Sequence, residues 1–450
     1  MWIRKVDAVE EPIPLTFGHR QSRVLYGRLR GMPAPDVAAL LLELERFEPD
    51  VVDDATTAVE WLTGGDPLES ITQLDVCEFL WFTLPLKVGG DQVAVARALG
   101  LLFTLGGMAR YAALCAAPTT ARILRAYAEE GEDAGTAAYQ AALDATGVLP
   151  PDIPDLGWSS IMGPEEHGAH VACSAALELA IVSGELQPGS PAWKRRREAL
   201  TRRWLTETRP ELGHDSWLHR VHGERLNRWV LGRGSARREL AQPFEVRLHA
   251  PIPVPDGDPV PPLTWLLDRA SREGLPLTRE HRPARSVTAA AAHEFGARHD
   301  VGALAHLART DLGALTRNGR VLELTPLGAR LLTDRESLWH SVTGLLLGSA
   351  RSDLEVAAQE AGLMLLAEGN GFTDATLAGR VADVVDLDEG SWEVCADVAP
   401  SLTSLMGRLD ALGMLVVHDG LTLLTPVGRS AALAALRAHA LRPRKYVTHG

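Results

Sequence analysis

The sequence contains little cysteine and no long apolar segment. Its four cysteines, which form no Cys-x-x-Cys pair, are Cys77, Cys115, Cys173 and Cys395. This spacing excludes a disulfide scaffold and favours a reducing compartment. The longest uncharged apolar run, between Arg97 and Arg110, is shorter than the about 20 residues that span a bilayer. The first residues also lack the apolar core of a signal peptide. We therefore expect a cytoplasmic protein without a membrane partner.

The common catalytic motifs are also missing. The chain has no Gly-x-Ser-x-Gly nucleophile elbow and no His-Glu-x-x-His zinc motif. The stretch GRGSARRE at 232–239 lacks the preceding strand and the Gly-Lys-Ser/Thr ending of a phosphate loop. Paired acids such as Glu165 and Glu166 lie in first helical turns or loops, where the helix dipole or solvent explains them without a catalytic role. No catalytic residue is predicted, and a non-enzymatic protein is favoured.

Charge is distributed unevenly along the chain. The net charge is −13, with −15 in residues 1–190, +7 in 191–250, −9 in 351–410 and +4 in 411–450. Only four of the 45 basic residues are lysine, and we draw no functional inference from that excess of arginine. Because the whole chain is acidic, contact with nucleic acid would have to use a local basic segment.

The pattern of apolar and breaker residues divides the chain into four regions. Residues 1–190 show helical periodicity and predict an acidic helical domain. Residues 191–262 predict a basic helix, a short strand near Phe244 and a stiff linker with six prolines in its last twelve residues. Residues 263–345 and 354–450 predict two further domains, the second with a basic C-terminal tail. The predicted fold class is mainly α.

A duplicated pattern indicates what these last two domains are. NGRVLELTPLGARLL, from Asn318, and DGLTLLTPVGRSAAL, from Asp419, each join a turn signal, a strand and a helix that starts with Thr-Pro. Asn-Gly at 318–319 predicts a type I′ hairpin turn. In both copies the preceding order is helix, short strand, helix, helix. This order predicts two winged helix-turn-helix domains with short β-hairpin wings.

Three segments carry a resemblance to known proteins. PLTWLLDRASREGLPLT and ARLLTDRESLWHSVTGLL resemble paired elements in the C-terminal part of a plasmid-encoded open-reading-frame family that is widespread in actinobacteria. EFLWFTLPLKV resembles the helical N-terminal region of uncharacterised actinobacterial proteins with C-terminal winged-helix modules. The resemblance covers about half the chain and implies a fold, but no settled activity.

The leading prediction for the winged helices is DNA-linked regulation, and a scaffold that binds a protein or peptide is the alternative. DNA readers need several phosphate contacts and a side chain for base edges, and winged helices also bind proteins or peptides. The candidate nucleic-acid contacts are Lys194, Arg195, Arg196, Arg197, Arg202, Arg203, Arg309, Arg317, Arg320 and Arg408. The alternative for the segment around Lys194 is a solvated helix held by a tryptophan stripe. A positive strip across the third helix and the wing would favour DNA-linked regulation, and an apolar groove there would favour a protein or peptide partner.

A metal site is the third alternative. His167, His170 and Cys173 share one face of a predicted helix, and His214, His219 and His222 form a second cluster. Together they predict a possible zinc site and, with it, a metal-dependent enzyme. The competing interpretation, which we favour, is structural: histidines at a helix start and in a basic loop, with Cys173 as a small buried residue. On that interpretation no cofactor is expected.

Overall fold

The computed structural model describes residues 36–296, 299–348, 352–389 and 398–445, and it is mainly α-helical, as predicted. The chain forms two compact units. Unit 1 comprises residues up to Val221 together with the chain from Pro443, and unit 2 comprises His222–Arg442. Helix Trp217–Leu231 contains the boundary between them.

Unit 1 is built from helices. They are α1 (Val37–Phe47), α2 (Val52–Thr63), α3 (Gln73–Glu78), α4 (Leu84–Lys87), α5 (Gln92–Leu105), α6 (Ala109–Cys115), α7 (Pro118–Glu130), α8 (Glu132–Thr146), α9 (Pro164–Val182), α10 (Trp193–Thr206) and the start of α11 (Trp217–Leu231). A π-helical turn, Phe79–Thr83, joins α3 to α4. Its main core lies among α1 to α8, with smaller clusters around α9 and α10.

A buried carboxylate ties α9 to the start of α3. Glu178 is almost fully buried and accepts hydrogen bonds from the Gln73 backbone N–H at 2.7 Å and the Tyr111 hydroxyl at 2.9 Å. Arg110 also pairs with it at 3.3 Å. A buried charge that is paired and hydrogen-bonded in this way fixes the relative position of the elements that carry its partners.

Unit 2 contains helices and two small sheets. The helices are the rest of α11, α12 (Ser235–Arg247), α13 (Pro261–Glu273), α14 (Arg285–Phe295), α15 (Val301–His306), α16 (Pro326–Thr333), α17 (Arg335–Gly348), α18 (Asp353–Ala367), α19 (Asp374–Glu389), α20 (Ala399–Ala411) and α21 (Pro426–Leu441). The strands are β1 (Leu275–Pro276), β2 (Leu315–Asn318), β3 (Val321–Leu324), β4 (Leu415–His418) and β5 (Leu421–Leu424). One continuous core, from Leu226 to Ala440, holds them together.

The strand predicted near Phe244 is wrong. Phe244 is fully buried in the last turn of α12, which ends at Arg247. The sequence FEVRLHA alternates like a strand, but burial of Ala241, Phe244 and Leu248 follows helical spacing. The proline-rich segment that begins at Pro251 is therefore preceded by a helix.

The duplicated pattern corresponds to two segments of unit 2 with the same order of elements. In the first, β1, β3 and β2 form an antiparallel sheet in that order. In the second, β4 pairs with β5, and a bridge between Phe372 and Thr422 takes the place of β1. The hairpin predicted at 414–425 is thus present. We call these segments repeat 1, residues 261–333, and repeat 2, residues 353–441.

The Leu-Thr-Pro-x-Gly motif has the same structural role in both repeats. The Thr325 and Thr425 hydroxyls accept hydrogen bonds from the N–H groups of Gly328 and Gly428, each at 3.0 Å, and so cap α16 and α21. A Cβ on Gly328 would lie 2.2 Å from the carbonyl oxygen of Ala314, and one on Gly428 would lie 2.3 Å from that of Met414. Each helix therefore starts directly against the residue before the hairpin, where only glycine fits.

One predicted turn lies one residue away from its expected position. Asn318 pairs with Val321, so the first hairpin turns at Gly319-Arg320, and of these two residues only Gly319 has a positive φ. The second hairpin turns at Asp419-Gly420, where both φ angles are positive, as a type I′ turn requires. The Asn-Gly signal identified the hairpin correctly but not the turn residues.

Candidate functional site

A groove in the described part of unit 2 crosses the third helix and hairpin of repeat 2. Its volume is about 970 Å³. Side chains of α19, α20, β4 and β5 form most of its wall, and the start of α13 and the end of α14 close one side. The apolar residues that line it include Leu377, Leu402, Met406, Leu415 and Val417. At this surface the sequence left two alternatives open: a positive strip, which would favour DNA, or an apolar groove, which would favour a protein or peptide.

The polar side chains of the groove include two carboxylates. Asp374 on α19 and Asp410 on α20 line it, and both are exposed. His299 also lines it, and burial lowers the pKa of its imidazole while Asp410 acts in the opposite direction. The Nε2 atom of His299 is buried and has no hydrogen-bond partner among the described residues. An apolar floor beside two carboxylates suits an apolar ligand that carries positive charge.

The hairpin edge beside the groove is apolar. Val416 and Val417 on β4 have relative exposures of 47% and 57%, and Leu421 on β5 has 39%. At the same place in repeat 1, β2 exposes Thr316, Arg317 and Asn318. Proteins commonly protect an edge strand from pairing with another chain by placing charged residues on it. The first hairpin has such a residue, Arg317, on β2, and the exposed residues of β4 include two valines instead.

Arg408, a predicted DNA contact, is buried instead. It is the only basic residue of α20. Its guanidinium donates to the Leu346 carbonyl oxygen at 3.1 Å and to Gln359 Oε1 at 2.9 Å, and burial lowers its pKa. The prediction was wrong because Arg408 falls on the inward face of the helix, where it ties α20 to α17 and α18.

The predicted contacts of repeat 1 do not extend into the groove. Helix α15 contacts α20, so part of its surface is used inside unit 2. Arg309, in the π-helical turn after α15, lines a separate pocket of about 420 Å³ with Arg282 and His306. Arg317 and Arg320 are exposed on the first hairpin. These side chains are close in sequence but lie on different parts of the repeat.

The basic helix α10 uses half of its predicted phosphate contacts within the protein. Arg197 is buried over the Trp193 ring and pairs with Asp144 at 3.1 Å. Arg202 pairs with Asp155 at 2.9 Å, and Arg203 lies 3.9 Å from both Glu185 and Glu207. Lys194, Arg195 and Arg196 are exposed, and Arg202 and Arg203 are exposed as well but lie beside acidic side chains. The face of α10 that can meet a phosphate backbone is therefore narrower than its sequence suggests.

The predicted metal ligands do not converge. His170 and Cys173 are buried and His167 is exposed. His170 packs edge-on against Trp158 with ring centroids 5.0 Å apart, and burial lowers its pKa to about 4. Burial also raises the pKa of the Cys173 thiol, which opposes the thiolate that zinc needs. Within the four described ranges, no group of three or more His, Cys, Asp or Glu side chains is placed to hold a metal ion.

A buried polar cluster in unit 2 was not predicted from the sequence. Glu360 on α18 is 1% exposed and accepts hydrogen bonds from Trp229 Nε1 at 2.7 Å and Arg233 Nε at 2.9 Å. His439 Nε2 lies 3.4 Å from the same carboxylate, and burial lowers its pKa to about 4. A signal was present, because Glu360 follows Gln359 in a segment whose other residues from Val356 to Ala367 are apolar or glycine.

Comparisons with known proteins give no relative for this chain: no family model, no curated protein and no solved structure matches it. The resemblance to actinobacterial proteins therefore stays an expectation. Among the described residues, none of the helices combines the length and apolar character needed to cross a membrane.

Proposed function

We propose that repeats 1 and 2 are winged-helix modules and that repeat 2 binds a segment of a partner protein. The order of elements, the hairpins after the third helices and the matched Thr-Pro-x-Gly helix starts support the first part. The observation that carries the second part is the groove across α20 and β4, with its apolar floor and its two aspartates. Winged helices serve both DNA and protein recognition, so the site and not the fold decides between them.

The charge of the groove supports one kind of partner over another. The one arginine of α20 is internal, and the groove presents Asp374 and Asp410. Residues 351–410 carry a net charge of −9, so a phosphate backbone would be repelled and a basic segment attracted. We therefore propose a linear segment with apolar side chains for the floor and at least one arginine or lysine for the carboxylates.

Peptide display tests this proposal. A phage library of random 12-residue peptides is selected on the immobilised full-length chain, and the most enriched peptide is synthesised with a fluorescent label. We expect enriched sequences to combine Leu, Ile, Val or Phe with Arg or Lys. The labelled peptide should bind Asp374→Asn/Asp410→Asn more weakly and with a flatter dependence on salt, because removing the carboxylates removes the screened attraction.

A pair of lysine substitutions provides the structural control. Met406→Lys places a long charged side chain in the groove and should lower affinity by about tenfold or more, which corresponds to about 1.4 kcal/mol. Val246→Lys makes the same kind of change on an exposed apolar residue of α12, outside the groove, and should leave affinity unchanged. Acidic selected peptides, or equal effects of the two lysines, would contradict the proposal.

DNA contact through α10 is the second candidate, supported by three consecutive exposed cations at 194–196. If these residues bind phosphates, replacing Lys194, Arg195 and Arg196 by alanine should reduce the slope of log affinity against log salt by about two to three. A fluorescent random-sequence duplex is titrated at several salt concentrations. Arg202→Ala, which removes a cation already paired with Asp155, is the comparison and should change the slope little. No binding at low salt removes this candidate.

A further inference from the structure

We propose that the partner segment binds in extended conformation, as an additional strand on the outer edge of β4. This inference rests on the proposed function and specifies its binding mode. Strand addition supplies main-chain hydrogen bonds for affinity, while side-chain pockets along one face supply specificity. Repeat 2 places an open strand edge and an apolar groove side by side.

The hydrogen-bonding pattern of the hairpin shows which backbone groups face outward. The turn at Asp419-Gly420 makes His418 and Leu421 a hydrogen-bonded pair, because the first carbonyl of a β-turn accepts from the fourth N–H. Pairs alternate along an antiparallel ladder, so Val416 is also bonded to β5. The N–H and C=O groups of Leu415 and Val417 therefore point away from β5. In the described part of the chain no strand pairs with β4 on that side.

The same two residues connect the edge to the groove. The side chains of Leu415 and Val417 lie on one face of the hairpin and line the groove together with Thr422. A strand added beside β4 would place every second side chain on that same face, opposite Leu415 or Val417. Those side chains would enter the groove, where Asp374 and Asp410 are available to a basic residue. The intervening side chains would lie beside Val416 on the other face.

Repeat 1 offers an internal comparison. Its equivalent edge strand, β2, exposes Thr316, Arg317 and Asn318, and a charged residue on an edge opposes pairing with another chain. On β4 the corresponding exposed residues are Val416, Val417 and His418. β-branched residues favour strand pairing, so repeat 2 has both the residues and the free edge for strand addition. The exposed carboxylates of the groove, Asp374 and Asp410, favour a basic partner over a second copy of this chain, whose net charge is −13.

An N-methyl scan of the peptide separates this mode from other ways of binding. The 12-residue peptide selected on the full-length chain is synthesised with one backbone amide methylated at a time. Methylation removes a donor, so alternate positions should lose about tenfold or more in affinity and the positions between them should lose little. A helical peptide would instead be weakened by methylation at every interior position, because every interior N–H is used within the helix.

Two variants of one residue test the protein side. Val417→Pro removes the outward N–H without removing a bond to β5, a change that edge strands tolerate, and should weaken peptide binding about tenfold. Val417→Thr keeps the N–H and the β-branched shape, so it should bind about tenfold more tightly than Val417→Pro even if the added hydroxyl in the groove wall lowers its own affinity. Circular dichroism and hydrogen exchange of the 414–425 hairpin should be unchanged in both variants.

The outcomes distinguish strand addition from the proposed function, which is peptide binding by the groove of repeat 2. Alternating N-methyl effects together with a Pro-specific loss support strand addition. Uniform N-methyl effects, or equal binding by Val417→Pro and Val417→Thr, overturn strand addition while peptide binding by the groove stands. A selected peptide that is insensitive to Met406→Lys overturns both. Dimerisation of the free chain in light scattering, abolished by Val417→Pro, would replace the partner segment with a second copy and overturn the inference as stated.

Discussion

At the scale of single residues, burial determines which of the candidate arginines are available to contact a nucleic acid. Arg197 and Arg408 match Arg195 and Arg196 in chemistry, but the first two are buried and paired and the others are exposed. Sequence spacing on a helix predicts which residues share a face. Spacing does not show which face packs inward when arginines lie on every side. The apolar stem of an arginine can pack against the protein or extend into solvent.

His170 allows a test of its structural role through pH. Burial lowers its pKa from 6.5 to about 4, so the unfolded chain binds a proton that the folded chain rejects. Stability from this residue is complete above about pH 6.5 and is lost as the pH falls towards about 4, by on the order of 3 kcal/mol at most. His170→Phe should reduce the loss of stability in that window, measured by urea unfolding at several pH values.

His167→Phe is the matched control on the same helix, because His167 is exposed. The charge of His167 also lowers the pKa of His170, so this variant should keep most of the loss of stability that His170→Phe removes. His439, whose pKa is also about 4, should keep its own share of the dependence. A bound zinc ion would give the opposite result. Both substitutions would then lower stability at neutral pH, and elemental analysis of the untagged parent would detect about one equivalent of metal.

At the scale of elements, the sequence predicted segments whose signals are local. Thr-Pro starts, glycine ends and the two hairpins depend on neighbouring residues. They are observed at the expected places, except that the first hairpin turns one residue later than expected. The segment around Phe244 was misassigned because a short alternating run is compatible with both a strand and a helix. Only its packing partners distinguish the two. The groove could not be predicted at all, since its walls come from residues more than 100 positions apart, such as Pro262 and Val417.

The glycines of the duplicated motif provide the test at this scale. Gly428→Ala would place Cβ 2.3 Å from the Met414 carbonyl oxygen, and Gly328→Ala would place it 2.2 Å from that of Ala314. Backbone cannot move aside as a side chain can, so each change should destabilise its repeat by about 1–3 kcal/mol or more. The loss is measured as an earlier unfolding transition in urea.

Gly344→Ala is the control for helix propensity. Gly344 lies inside α17, and a Cβ added there would have no atom within 4 Å apart from its chain neighbours and the backbone of its own helix. Replacing it should be neutral or stabilising by up to about 1 kcal/mol, because alanine is the better helix former. Equal behaviour of Gly344→Ala and Gly428→Ala would mean that the close approach at the start of α21 does not exist.

At the scale of the whole molecule, each unit has its own core and at least one buried carboxylate. Glu178 lies in unit 1, and Glu360 lies in unit 2 with Trp229, Arg233 and His439. The sequence indicated two kinds of region, an acidic helical one and a duplicated one. It did not indicate that the chain between them contributes α11 and α12 to packed units, because a basic, tryptophan-containing segment is equally compatible with a solvated helix.

Removing one carboxylate should therefore affect one unit. Glu360→Ala removes the carboxylate that accepts from the guanidinium of Arg233 and the indole N–H of Trp229. Breaking a buried pair in this way costs about 3–5 kcal/mol. Hydrogen exchange of the full-length variant should become faster in peptides from residues 222–442 and stay unchanged in peptides from residues 36–221. Glu368→Ala, an exposed acid just beyond the end of the same helix, should change neither set. Faster exchange in both regions would show that the two units unfold as one cooperative body.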